Sequence, residues 1–276
     1  MEIKFIYPRW GSGDVNWTEF FKKVKEAGYD GVEIDLPLRG IEKYDVLNRL
    51  KDYELEFVGQ HWETKDVKFS DHKENFKRHL YNLVEAEPLF VNSHTGMDFF
   101  SFSQNGELLL LAEEIEDETG VRIIHETHRS RFCFAAHIGA LFLKEFPFLK
   151  LTADFSHWCC VAESLLENQK VSVEKAIDHS FHIHARVGSS QSPQIIDPRD
   201  ELYKEEFTVF MGWWNKIIDK ALSRKDDYIT ITPEYGPFPY TLYAPNTTQA
   251  LGNQWEINEF IRKEIMLKRK QVLGSV

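Results

Sequence analysis

Hydrophobic and polar positions alternate with a period of two in eight stretches of the chain. Between them the apolar positions recur at helical spacing. The strand-like stretches are residues 3–8, 31–36, 56–62, 89–94, 121–128, 149–155, 181–187 and 228–234. Helical patterns cover 17–27, 41–53, 70–85, 106–118, 132–145, 162–178, 201–222 and 255–270, the sixth interrupted near Gln169. Gly28 and Gly120 stand where helices should stop, and Pro147 follows another. Eight strand-then-helix units in sequence predict a closed α/β barrel of the (β/α)8, or TIM, type, which takes about 250 residues. A doubly wound open sheet is the alternative, but eight regular units favour closure. No linker or change of composition divides the chain, so residues 1–276 are expected to form a single domain.

The alternation also sorts chemistry by face. In Phe181-His182-Ile183-His184-Ala185-Arg186-Val187 the odd positions are apolar, and the even ones carry two imidazoles and a guanidinium. Strand five brings Glu126 to its end on the face of Arg122 and Ile124. Strand six brings Asp154 opposite an all-apolar face, and strand eight aligns Thr230, Thr232 and Glu234. A barrel converges the C-terminal ends of its strands. Glu126, Asp154, His184 and Glu234 are therefore expected at one point, where three carboxylates and an imidazole suit a divalent cation such as Zn²⁺, Mn²⁺ or Mg²⁺. Without a cation, carboxylates so close would repel one another. His182 lies deeper on the same face and reads as a buried, hydrogen-bonded residue. His125 should face the helices. Glu33 and Asp35 lie on the inward face of strand two, with Glu33 placed to anchor other pocket residues. Trp10 and Trp62 fall near strand ends, where an indole either packs in the core or stacks on a sugar ring. The loops 188–200 and 236–253 are long for connections, and in a barrel they lie on the catalytic face.

Composition narrows the partners. A net charge of −11 argues against a general nucleic-acid binder. Three cysteines, two of them the adjacent Cys159 and Cys160, do not form a disulfide framework. The start, Met1-Glu2-Ile3-Lys4-Phe5, lacks a signal-peptide layout, and no apolar run is long enough for a membrane helix. A soluble protein of a reducing, cytoplasmic compartment is expected.

The strand-end Glu126, the run Asp154-Phe-Ser-His157, the second histidine of His182-Ile-His184 and the strand-eight Glu234 occur in this order. In this the chain resembles the xylose-isomerase-like TIM-barrel superfamily, which holds sugar isomerases, ketose 3-epimerases and endonuclease-IV-type enzymes. The resemblance implies that Glu126, Asp154, His184 and Glu234 bind one metal, with His157 and Arg186 beside it on substrate oxygens. It also implies that Glu126 and Glu234 are the catalytic acid–base pair, moving a proton next to a carbonyl through a metal-stabilised enediolate. The expected activity is a metal-dependent isomerase or epimerase of a small sugar or polyhydroxy carbonyl compound. The alternatives are a metal-dependent hydrolase of the endonuclease-IV-like branch and a non-catalytic barrel that binds metal and sugar. That endonuclease branch uses further histidines, for which His61, His94 and His157 are candidates. It also carries Asp-x-His after the strand-seven histidine, where this chain reads Asp197-Pro198-Arg199. A guanidinium does not ligate metal. Arg199 instead suits a carboxylate or phosphate, and His61 and His94 are placed as further substrate contacts. Barrels of this type often associate into homo-oligomers, and the sequence leaves the oligomeric state open.

Overall fold

Eight parallel strands close into a barrel in sequence order, as the alternation predicts. The structure, a computed structural model, describes residues 1–38 and 40–274. Residues 39, 275 and 276 of the expected 1–276 span lie outside the described residues. The strands are β1 (Glu2–Pro8), β2 (Gly31–Ile34), β3 (Glu56–His61), β4 (Val91–Ser93), β5 (Ile123–Glu126), β6 (Leu151–Ala153), β7 (Ser180–Ala185) and β8 (Tyr228–Pro233). The helices are α1 (Trp17–Glu26), α2 (Ile41–Asp52), α3 (Phe69–Val84), α4 (Phe102–Thr119), α5 (Ala136–Glu145), α6 (Phe155–Ala162), α7 (Lys170–Asp178), α8 (Lys204–Arg224) and α9 (Gln254–Gly274), with a 3-10 turn at Glu201–Tyr203 leading into α8. Closure pairs β1 with β8, Phe5 standing opposite Ile231. None of the described helices is long and apolar enough to cross a membrane.

The two faces of the strands have different neighbours. Outward residues such as Val32, Ile34, Ile123, Leu151, Ile183 and Ile231 pack with helix residues such as Phe21, Leu80, Leu108, Trp158 and Ile217 in one large core. The inward residues Ile6, Val58, Phe90 and Ile124 form a separate, small apolar cluster inside the barrel. At the N-terminal end of β1, Lys4 donates to both Glu56 oxygens at 2.7 and 2.6 Å. Toward the C-terminal ends the inward positions become polar. Glu33, Asn92, Thr152, His182, Thr230 and Thr232 are all buried. Buried polar groups need partners, and these satisfy one another, which makes a rigid floor beneath the strand ends.

Several boundaries differ from the periodicity. Helix α4 starts at Phe102 rather than at 106, because Ser101 and Gln104 form a capping box that satisfies two backbone donors. Strand β6 is three residues long rather than seven, because Asp154 caps α6 by accepting from Ser156 N–H. The helix expected over 162–178 is displaced: α6 ends at Ala162, and α7 begins only at Lys170. Strand β7 stops at Ala185, so Arg186 stands just beyond it.

Burial sets an acid limit on the fold. His61 has both ring nitrogens bonded, to Ser93 Oγ at 2.9 Å and Thr64 Oγ1 at 2.7 Å. His125 bonds Thr95 Oγ1 at 2.7 Å. Burial, with Arg131 nearby, holds His61 well below its usual pKa, and burial with Lys150 lowers His125 to about 3. In the unfolded chain each titrates near 6.5, so as pH falls below about 6.5 the unfolded state gains protons that the native state refuses. The contribution of these two histidines is expected to be level above about pH 7 and to fall below 6.5 by about 1.4 kcal/mol per pH unit for each. Urea titrations from pH 8 to pH 5 measure this, and a level profile down to pH 5 would contradict it.

Candidate active site

Each expected ligand is placed by the end of one strand. Glu126 is the last residue of β5, His184 lies near the end of β7, and Asp154 and Glu234 directly follow β6 and β8. All four are buried. His184 Nδ1 lies 2.8 Å from Glu234 Oε2 and 3.4 Å from Glu126 Oε2. Asp154, His184 and Glu234 bring ligand atoms within 4.8 Å of one another, as do Glu126, Asp154 and His157. Arg186 bridges two of the acids. Its Nε donates to Asp154 Oδ2 at 3.0 Å and its Nη2 to Glu234 Oε2 at 2.6 Å. Ser156 donates to Asp154 Oδ1 from its backbone N at 3.1 Å and from Oγ at 2.5 Å.

The site concentrates four acids. Glu33, Glu126, Asp154 and Glu234, all buried, share the guanidinium of Arg186 and the imidazoles of His94, His182 and His184. Burial pushes Asp154 up to about 6, with Glu234 and Glu126 adding to the rise and Arg186 opposing it. Against the cost of burial, His94 and His184 hold Glu126 well below the usual carboxylate range. Burial also opposes charge on His184, yet Glu234, Glu33 and Glu126 raise its pKa well above the ordinary value. His184 Nδ1 is buried and aligned for a hydrogen bond with none of its neighbours. A buried ring nitrogen without a bond, set among three carboxylates, fits a divalent cation.

A cavity of about 680 Å³ opens above this cluster, with Trp10 and Trp62, Asp35 and His94 among its lining residues. Glu126, Glu234 and Arg186 reach it, whereas Asp154 and His184 are not among the residues lining it. Arg186 lies under two aromatic rings, 5.2 Å from the Trp10 centroid and 4.7 Å from that of Tyr240. His94 Nε2 lies 2.7 Å from Glu126 Oε2. His157 is fully buried with its Nε2 3.5 Å from Asp154 Oδ2, and its ring lies against that of His128, 3.9 Å between centroids. Burial, His128 and Arg186 lower the His157 pKa well below the ordinary value, which makes it a neutral ring.

Two expected substrate contacts lie elsewhere. His61 is buried with both nitrogens occupied, so it has no free atom to offer a ligand. Arg199 pairs with Asp197 at 2.7 Å and Glu256 at 3.6 Å and borders a different cleft, beside Trp255. An acid two residues away had claimed the guanidinium. Conversely, sequence reasoning missed Asn92, Tyr240 and Gln194. Asn92 has a signal, since it shares the inward face of His94 two positions on. Gln194 has none. It is a loop residue whose Oε1 accepts from Gly236 N at 2.7 Å and lies 3.4 Å from Arg186 Nη1, which ties the two long loops to the site.

No protein-family model matches the sequence, and no curated protein matches it. Among solved structures the chain is similar to a xylose isomerase domain-containing protein from Salmonella typhimurium, with 13% identity, 96% of each chain covered and a TM-score of 0.62. It is similar to 3-keto-D-glucoside 4-epimerase from E. coli, with 14% identity, 96% of this chain and 100% of that one covered, and a TM-score of 0.59. Endonuclease IV from Thermus thermophilus gives 11% identity, 97% and 99% coverage, and a TM-score of 0.60. Such different activities on one architecture show what is shared: this chain has the fold of the xylose isomerase-like TIM barrels.

Proposed function

We propose that this chain is a divalent-metal-dependent isomerase or epimerase acting on a small sugar or another polyhydroxy carbonyl compound. The observation that carries this is the meeting of Glu126, Asp154, His184 and Glu234 around an unbonded His184 Nδ1 at the floor of a cavity. Zn²⁺, Mn²⁺ or Mg²⁺ held by these four would polarise a substrate carbonyl and stabilise negative charge on its oxygen.

The protein's own groups divide the remaining work. Of the four, only Glu126 and Glu234 are among the residues lining the cavity. They are the acid–base pair: one takes the proton from the carbon next to the carbonyl, and the other returns a proton. His94, in contact with Glu126 at 2.7 Å, orients that carboxylate toward the cavity. Arg186, fixed by Asp154 and Glu234, offers its guanidinium to substrate oxygens. His157 supports the Asp154 side of the cluster from behind. Trp10 and Trp62 give the cavity aromatic walls on which the apolar face of a sugar can lie.

The test is done in deuterium oxide with a panel of ketoses and keto-sugars, on protein first analysed for bound metal. Expected are uptake of one divalent ion per chain and deuterium at the carbon beside the substrate carbonyl. Protein that neither contains nor binds Mn²⁺, Zn²⁺ or Mg²⁺ would sink the proposal. So would turnover of a substrate with no solvent deuterium in the product.

A further inference from the structure

His184 has a second nitrogen, and its surroundings are as specific as those of the first. Nε2 lies 3.0 Å from both oxygens of Glu33, which reaches across the barrel from β2 and is only 1% exposed. Beside them, Asn92 of β4 places Nδ2 2.9 Å from Glu33 Oε1 and 3.2 Å from Glu126 Oε2. Its orientation is fixed, because Oδ1 accepts from Thr152 Oγ1 at 2.7 Å. The two amide hydrogens of Asn92 are therefore taken by the two carboxylates. Although Asn92 Nδ2 is also 3.2 Å from His184 Nε2, it has no hydrogen left for the ring. Among the described residues the only acceptors facing Nε2 are the Glu33 oxygens, so Nε2 carries a hydrogen and donates it to Glu33. Thr232 Oγ1 donates to Glu33 Oε2 at 2.8 Å, which pins the carboxylate from strand β8.

We propose that Glu33 is a positioning residue for His184, holding the hydrogen on Nε2 so that the Nδ1 lone pair faces Glu126 and Glu234. The inference rests on the metal reading given above and adds to it how the single nitrogen ligand is selected. An imidazole in the opposite tautomer would present an N–H where a ligand atom is needed. A charged acceptor on the far nitrogen also makes the near one a stronger ligand. Asn92 extends the same control to Glu126, so one buried layer orients ligands from both β5 and β7. The ordinary alternative is that Glu33 only balances two buried histidines, since His182 Nε2 is 3.4 Å away.

Two measurements separate these. Mn²⁺ is titrated calorimetrically into the wild type, Glu33→Gln and Thr230→Val. The last disturbs the same layer by removing the Thr230 hydroxyl, 2.7 Å from His182 Nδ1, without touching His184. Glu33→Gln should bind Mn²⁺ about 10–100-fold more weakly, and Thr230→Val should bind as the wild type does. Long-range proton–nitrogen spectra of the wild-type histidines, without metal and with Zn²⁺, should show His184 protonated at Nε2 in both states. Unchanged affinity in Glu33→Gln, or a wild-type ring bare at Nε2, overturns the proposal. If Glu33→Gln does not fold, the wild-type spectra decide. If the wild type takes up no Mn²⁺, the metal reading falls, and the metal-free spectrum, recorded at a pH high enough for the His184 ring to carry a single hydrogen, still decides whether that hydrogen sits on Nε2 toward Glu33.

Discussion

Glutamine in place of Glu126 or Glu234 is expected to lower kcat for epimerisation by a factor of about 100 to 10,000, the range over which positioned acid–base groups act. The amide is isosteric, so the cavity and the neighbouring strands should stay as they are, but it neither takes nor returns a proton. The two variants should also fail differently. Glu126 is bound by His94 and Asn92, and Glu234 by Arg186. If each serves one face of the substrate, removing one leaves the other able to abstract and replace a proton on its own face. Each variant should then exchange solvent deuterium into one epimer only, while interconversion of the two epimers is lost. Assays belong at saturating metal, with metal affinity measured separately, because each substitution also removes a proposed ligand. Interconversion near the wild-type rate in both variants would remove the acid–base assignment. Loss of a bond-cleaving reaction with no exchange in any form would point instead to a hydrolase.

The barrel was legible because its signal is repeated. Eight inward–outward alternations separated by helical patterns leave few other folds, and the parity within strands put Glu33, Glu126, Asp154, His182, His184 and Glu234 on the inward face, where they meet one another. Glu126, Asp154, His184 and Glu234 could be read as converging for that reason alone, since strand-end position and parity determine direction. Loop residues carry no such phase. Arg199 looked suited to a substrate anion, yet Asp197 binds it first, and nothing in the periodicity tells an occupied guanidinium from a free one. His61 has the right strand end, but Ser93 and Thr64, from other parts of the chain, occupy both of its nitrogens. The α6 boundary failed for a chemical reason. Asp154 serves both as a strand-end acid and as the cap of the next helix, so the strand stops sooner than its pattern of alternation.

The largest stability effect is expected at Arg186. It is 3% exposed and bonded to Asp154 and Glu234, two carboxylates that burial has removed from water. Arg186→Met keeps much of the apolar stem beneath Trp10 and Tyr240 but takes the guanidinium from both acids, leaving Glu234 with His184 alone. Breaking a buried pair from one side costs about 3–5 kcal/mol, and part of that can be escaped by protonation. Asp154 already has a pKa raised to about 6, against about 3.9 for an unfolded aspartate. A raised carboxylate destabilises the native state where the unfolded chain is ionised, and the penalty vanishes as pH falls below both values. Loss of Arg186 raises the Asp154 value further, so the variant's deficit should be larger at pH 8 than at pH 5. A divalent cation that binds the same carboxylates should recover much of it. Urea unfolding of both proteins at the two pH values, with and without Mn²⁺, tests each step. A deficit that is the same at pH 5 and pH 8, and unmoved by Mn²⁺, would mean that Arg186 stabilises the barrel by packing and that the carboxylates do not need its charge.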